Sequence, residues 1–269
     1  MLKWRLISFP LLLGLLAFIF LAPEKYGYPV FALAATLVIP LAVFECARML
    51  DRAGIRTMPV VSGIFSLVMV GSCMYGRYSN ILLTALCAAL ITLPWLLILV
   101  YREFAVERVF NTCGVIMLVM TPFLLLAMTG FDRLLFIMLA TKAMDTGGYV
   151  FGMLSGRFLP GGNHKLCPKV SPKKSWEGAA GGMALSLLVG WGFFAWKGDM
   201  PLVRYLAFAA LLAFASVMGD LTESALKRRC GVKDSGNWIP GMGGALDVLD
   251  SFIYTALVCG VFTYFSGRL

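Results

Sequence analysis

Charge is what this chain has least of. Only 14 % of its 269 residues are Asp, Glu, Lys or Arg, against about 25 % in an average soluble domain. Meanwhile 60 % are hydrophobic and the mean hydropathy is +0.85. That imbalance excludes a soluble globular domain and a disordered tail. Metal-ligand cysteine spacing is missing as well. The seven cysteines, Cys46, Cys73, Cys87, Cys113, Cys167, Cys230 and Cys259, are odd in number and mostly sit in apolar runs. A free thiol there behaves as a small hydrophobe, so neither a disulfide scaffold nor a zinc site is implied. The chain also lacks an internal repeat, a low-complexity tract and a separate soluble domain. Lys3 and Arg5 precede an apolar run, Leu6 to Ala22, without a small-x-small cleavage site before Glu24. This run reads as an uncleaved first span.

What is present is a series of apolar runs, each long enough to approach the ~20 residues a membrane crossing needs. Charged and Pro/Gly-rich interruptions divide them into nine expected helices, at 6–22, 28–50, 58–76, 79–101, 111–130, 132–154, 177–197, 201–224 and 243–265. The expected fold is therefore all-α, a polytopic membrane protein with about nine transmembrane helices in a single membrane domain, 1–269. Residues 1–130 are spans of generic character. Residues 131–269 carry two longer loops, 155–176 and 225–242. With a cytoplasmic N-terminus, 16 Lys and Arg fall on the cytoplasmic side and 6 on the other, with Lys142 inside a span. That split follows the positive-inside rule and puts both loops in the cytoplasm. The net charge of +9 is then gathered where it meets phosphates.

The chain has only 14 acidic residues. Glu45, Asp145, Glu177, Asp220, Asp247 and Asp250 lie in or against apolar segments, where inserting a carboxylate costs about 2.5 kcal/mol or more. Each needs a site or a partner. Asp220, Glu223, Ser224 and Lys227 follow i, i+3, i+4, i+7 and form one polar stripe; Asp247 and Asp250 form a second. Facing carboxylates, completed by water and a substrate phosphate, suit Mg²⁺. A plain Glu223–Lys227 ion pair is the competing explanation of the first stripe. The loop 155–176 gathers Gly161, Gly162, Lys165, Pro172, Lys173 and Lys174 just before a helix N-terminus and Glu177, which describes an anion cradle. The bland alternative is a basic loop attracted to anionic lipid. Lys142 and Asp145, three apart, can pair internally, and Gly147-Gly148 is a place for a helix to kink. His164, the only histidine, reads as a solvated loop residue with no proton-transfer role.

At this point the sequence resembles the phosphatidate cytidylyltransferase (CDP-diacylglycerol synthase) family. The resemblance starts at Asp145-Thr146-Gly147, with Tyr149 and Phe151-Gly152. It continues through His164-Lys165-Leu166, the run Pro168 to Gly178, and Gly181-Gly182. It resumes at Gly219-Asp220-Leu221 with Glu223-Ser224, then runs from Ser224-Ala225-Leu226-Lys227-Arg228 to Lys233-Asp234-Ser235-Gly236, Ile239-Pro240, Gly243-Gly244, Asp247 and Asp250. It covers residues 145–250. Three positions depart from the family signature: Met242 replaces a histidine, Val248 an arginine and Ala245 a bulky aliphatic. Methionine and valine cannot replace the lost hydrogen-bond donors.

The resemblance implies that CTP and phosphatidic acid give CDP-diacylglycerol and pyrophosphate with Mg²⁺, at a bacterial-type inner membrane with the site on the cytoplasmic face. It implies Asp220 and Asp247 as principal metal ligands, with Glu223 and Asp250 as further ligands. Lys173, Lys174, Lys227 and Lys233 would hold phosphates, and Asp234 would orient Lys233 or contact the nucleotide. Asp145, Lys165, Glu177, Ser224 and Arg228 are the remaining expected substrate contacts. Nucleic acid is not an expected partner. A second, monovalent cation and a homodimer stay open, as do a catalytically altered relative and a polytopic transporter.

Overall fold

The computed structural model describes residues 14–15, 17–75, 105–127, 131–239 and 243–265. The expected span 79–101, most of 6–22, and Met242 lie outside the described residues. Seven helices are described: α1 (Glu24–Arg52), α2 (Pro59–Tyr75), α3 (Ala105–Ala127), α4 (Phe131–Phe158), α5 (Trp176–Lys197), α6 (Leu202–Arg229) and α7 (Ala245–Phe265). Six of them, all but the 17-residue α2, are long and apolar enough to cross a membrane. Their outer faces carry exposed Leu33, Leu37, Leu118, Leu188, Phe214 and Val261. Lipid, not water, tolerates such faces, and the chain is a polytopic membrane protein.

Contacts divide the chain into two compact units. The first takes residues 1–128 and 229–249. Here α1 packs on α2, and both meet α3. Gly54, at φ +87°, reverses the chain after α1, as a residue without Cβ can. The turn is then riveted by side chains. Thr57 Oγ1 donates to the Ala47 carbonyl (2.7 Å) and Thr57 N–H to Asp51 (3.1 Å). Met58 N–H donates to Thr112 Oγ1 of α3 (2.9 Å).

The second unit takes residues 129–228 and 250–269, and α4 and α5 are its most intimate pair. Gly147-Gly148 does not break α4, which runs continuously from 131 to 158. Instead, a Cβ on Gly147 would stand 2.7 Å from the Gly182 Cα, so the glycines let two helix backbones touch. Ser186 Oγ donates to the Ala209 carbonyl (3.0 Å), tying α5 to α6.

The expected loop 155–176 is shorter than its bounds and is not pure loop. Helix α4 consumes its first residues, and an antiparallel hairpin, β1 (Lys165–Cys167) with β2 (Ser171–Ser175), fills its second half. This small sheet is an addition to the all-α expectation. Ser175 then caps α5, its Oγ accepting the Gly178 N–H (3.1 Å), as a serine N-cap does. The second loop begins at 230, not 225. Ala225, Leu226, Lys227, Arg228 and Arg229 are good helix formers and extend α6 until Gly231, at φ +69°, ends it.

Candidate functional site

In the second unit, three acids and two lysines converge from α4, β2, α6 and α7. Gly219 sets up the centre. A Cβ there would lie 2.5 Å from the Asp250 carbonyl oxygen and 3.2 Å from the Ser251 Cα. Only the missing side chain lets α7 come this close to α6. The next residue, Asp220, consequently shares a hydrogen bond with the Asp250 side chain. Two carboxyls in contact need compensating charge. Lys174, at the end of β2, supplies it, with Nζ 2.6 Å from Asp220 Oδ2. Ser251 N–H donates to Asp250 Oδ1 (2.6 Å).

One turn of α6 before Asp220, Ser216 Oγ donates to Asp145 Oδ1 (2.9 Å). Ser251 Oγ donates to Asp145 Oδ2 (3.2 Å), and Lys142 Nζ stands 3.0 Å from the same oxygen. Asp145 therefore joins α4 to α6 and α7, and the internal Lys142–Asp145 pair is what forms. Lys142 also lies over the Phe252 ring, 4.7 Å from its centroid. A cavity of about 250 Å³ opens onto this group, lined by Asp145, Tyr149, Lys173, Lys174 and Asp220, among others.

Other expected residues are engaged elsewhere. Glu223 and Lys227 are both buried and form an ion pair with one another, the competing explanation of their stripe. The charge of Glu223 still reaches Asp250. Glu177 receives the His164 N–H (3.1 Å) and faces His164 Nδ1 at 2.6 Å. His164 is thus not merely solvated: it pins the start of the hairpin to the first turn of α5. Lys165 is exposed on β1, opposite Ser175. Ser224 and Arg228 occupy the last turns of α6.

The first unit holds Lys233, Asp234 and Asp247. Asp247 Oδ2 accepts three hydrogen bonds, from Ser235 N–H (2.9 Å), Ser235 Oγ (2.9 Å) and Gly244 N–H (2.7 Å). Glu45 of α1, 2 % exposed, meets the same loop. Its Oε2 accepts the Leu246 N–H (3.0 Å) and lies 3.1 Å from Ser235 Oγ. One hydroxyl proton serves one carboxylate at a time, so Ser235 is shared between Glu45 and Asp247. Gly243 and Gly244 make room for these carboxylates, since a Cβ on either would strike Asp247 or Glu45.

Sequence reasoning singled out Glu45 as an acid in an apolar run without assigning it a site. It passed over Ser216 and Ser251, and named Ser235 only within the family motif. The available signal was their spacing: Ser216 precedes Asp220 by one helical turn, and Ser251 adjoins Asp250.

Among the described residues, no three His, Cys, Asp or Glu side chains gather as a ready-made metal cage. Mg²⁺ rarely uses one; it takes one or two carboxylates and completes its octahedron with water and substrate phosphates. The Asp220–Asp250 contact, an all-oxygen pair beside a cavity, fits that cation.

Comparison with known proteins agrees in kind. A phosphatidate cytidylyltransferase of Haemophilus influenzae is 42 % identical over 141 residues, 51 % of this chain and 46 % of the relative. One from Staphylococcus saprophyticus is 40 % identical over 126 residues, 46 % of each chain. One from Mycobacterium leprae is 40 % identical over 133 residues, 48 % of this chain and 39 % of the relative. Each match spans less than half of the relative's own length. The model of the cytidylyltransferase family, in contrast, matches residues 3–266. With nearly every residue inside that match, the chain belongs to the cytidylyltransferase family.

Proposed function

We propose that this protein is a phosphatidate cytidylyltransferase, transferring CMP from CTP to phosphatidic acid to give CDP-diacylglycerol and pyrophosphate in phospholipid synthesis. The observation that carries the reading is the Lys174–Asp220–Asp250 cluster beside a lysine-rimmed cavity in a membrane-spanning bundle. A soluble nucleotide and a lipid must both reach such a place, and both are anions. Diacyl tails remain in the bilayer while the phosphate monoester enters the cavity. One of its oxygens attacks the α-phosphorus of CTP, and the bond from that phosphorus to the bridging β-oxygen breaks, releasing pyrophosphate.

A phosphate monoester is already a nucleophile at neutral pH, so no general base is required. What the protein must do is bring two anions together and align them. Lys173 and Lys174 hold phosphates in the cavity of the second unit; Lys233 and Asp234, in the first unit, are assigned to the nucleotide. Asp220 and Asp250 form the core of the cation site in the second unit, with Glu223 as a further carboxylate there. Mg²⁺ bound there would neutralise phosphate charge and fix the in-line geometry. Asp145, held by Ser216, Ser251 and Lys142, keeps the helices that carry these groups in register.

The proposed topology has nine spans and a cytoplasmic N-terminus in a bacterial-type inner membrane. Its support is the 16-to-6 split of Lys and Arg. The test is direct. Detergent-purified protein given labelled CTP, phosphatidate and Mg²⁺ should form lipid-linked CMP and release pyrophosphate. Absence of that product from folded protein would refute the reading, and solute flux in proteoliposomes without chemistry would favour a transporter.

A further inference from the structure

Another cavity among the described residues lies wholly within the first unit, between α1 and the 232–238 loop, and has a volume of about 460 Å³. That is within the size range of small-ligand sites. Glu45, Arg48 and Arg52 follow i, i+3, i+7 and share one face of α1; all three line the cavity. Across from them stand Asp234, Asn237 and an exposed Trp238. We infer that this cavity binds the nucleotide, with Arg48 and Arg52 gripping its phosphate chain. The inference rests on the proposed cytidylyl transfer and assigns the nucleotide's phosphates to a helix outside the motif-bearing segment, 145–250.

Three observations support it. First, Arg48 and Arg52 both line one cavity, and among the described residues no carboxylate forms an ion pair with either. Guanidinium forks match phosphate oxygens in bidentate fashion. Second, the opposite wall carries what the rest of a nucleotide needs: an indole face for a base, an amide, and a carboxylate able to accept ribose hydroxyls. Third, the wall is held in place. Buried Glu45 ties α1 to Ser235 and to the Leu246 N–H, while its Oε1 has no hydrogen-bond partner and packs against Gly236. Glu45 is therefore a positioning residue that sets the loop at a fixed distance from the two arginines.

A lipid headgroup offers the same phosphate chemistry, so the test separates the two sources. The full chain in detergent is assayed for CTP binding by equilibrium dialysis and for KM toward CTP and phosphatidate. Arg48→Gln and Arg52→Gln should each weaken CTP binding roughly 10- to 100-fold, the loss expected for a charge-assisted contact. KM for phosphatidate should stay within about twofold, since its contacts are assigned elsewhere. Arg48→Lys should recover part of the loss. Arg56→Gln, a charge-matched change outside the cavity, should bind CTP as wild type does. Trp238→Ala should weaken CTP but not tripolyphosphate. Arg48 also stacks over Phe44; should Arg48→Gln not fold, Arg52→Gln on the last turn of α1 carries the test. Unchanged CTP affinity in folded Arg52→Gln would overturn the inference, and so would a rise confined to the phosphatidate KM. If wild type binds CTP through these arginines yet makes no CDP-lipid, the inference stands and the proposed function falls.

Discussion

Glu45 is buried in α1, yet the structure spends it on the loop that carries Ser235 and on the first turn of α7. Replacing it with alanine removes the acceptor of the Leu246 N–H, in a residue 1 % exposed. A buried donor left unsatisfied costs about 1–3 kcal/mol. Ser235 loses one acceptor but keeps Asp247, so its loss is smaller, about 0.5–1.5 kcal/mol for an ordinary hydrogen bond. Glu45→Ala should therefore destabilise by about 1.5–4.5 kcal/mol. At roughly 2–4 °C per kcal/mol for a chain of this size, the melting temperature in detergent should fall by about 3–18 °C. Glu45→Gln keeps one amide oxygen for both donors, and its Nε2 takes the place of an oxygen with no hydrogen-bond partner. Its melting temperature should stay within about 3 °C of wild type. Thermal unfolding of the two variants, followed by tryptophan fluorescence, decides the matter. If alanine melts with wild type, or glutamine falls as far as alanine, the anchoring role assigned to Glu45 is wrong.

Other expectations follow from the second unit. Gly219→Ala places a Cβ 2.5 Å from the Asp250 carbonyl; it should force α6 and α7 apart and lower turnover far more than it lowers expression. Lys227→Met should destabilise by about 3–5 kcal/mol by removing the cation paired with a buried carboxylate, and Lys227→Met combined with Glu223→Gln should restore the melting temperature. If that double variant also recovers near-wild-type turnover, Lys227 does not hold phosphate. Asp220→Asn and Asp250→Asn should each cut kcat about 100-fold or more and raise the Mg²⁺ concentration needed for half-maximal rate. Near-full turnover in either would remove that carboxylate from the cation site. Cysteines introduced at Lys165 and Lys233 should be labelled by an impermeant thiol reagent only from the cytoplasmic side; labelling from opposite sides would refute the topology.

Among the described residues, hydropathy located the long apolar helices to within about six residues at either end, because an apolar run in lipid has no alternative to helix: every backbone group must be satisfied within the segment. Where α6 ends was less legible, since Lys227, Arg228 and Arg229 read as loop by charge but as helix by propensity. The hairpin at 165–175 was invisible to hydropathy, being stabilised by pairing between two polar strands. Helical spacing brought out the acids and lysines as a class, because carboxylates in apolar runs are costly and must be justified. Which of them touch was beyond it. Periodicity along one helix says nothing about the neighbour it meets, and here Gly219 and Gly147 set that by letting backbones approach. So residue type and spacing determined that this is a polytopic membrane chain with acids set in apolar helices, and its motifs carried the resemblance to the cytidylyltransferase family. Only the packing of separate helices decided that Asp220 pairs with Asp250 and Lys174, that Glu223 is spent on Lys227, and that Glu45 belongs to the loop of Asp247. Contacts between residues far apart in the chain are chosen by how helices close on one another, which no local pattern encodes.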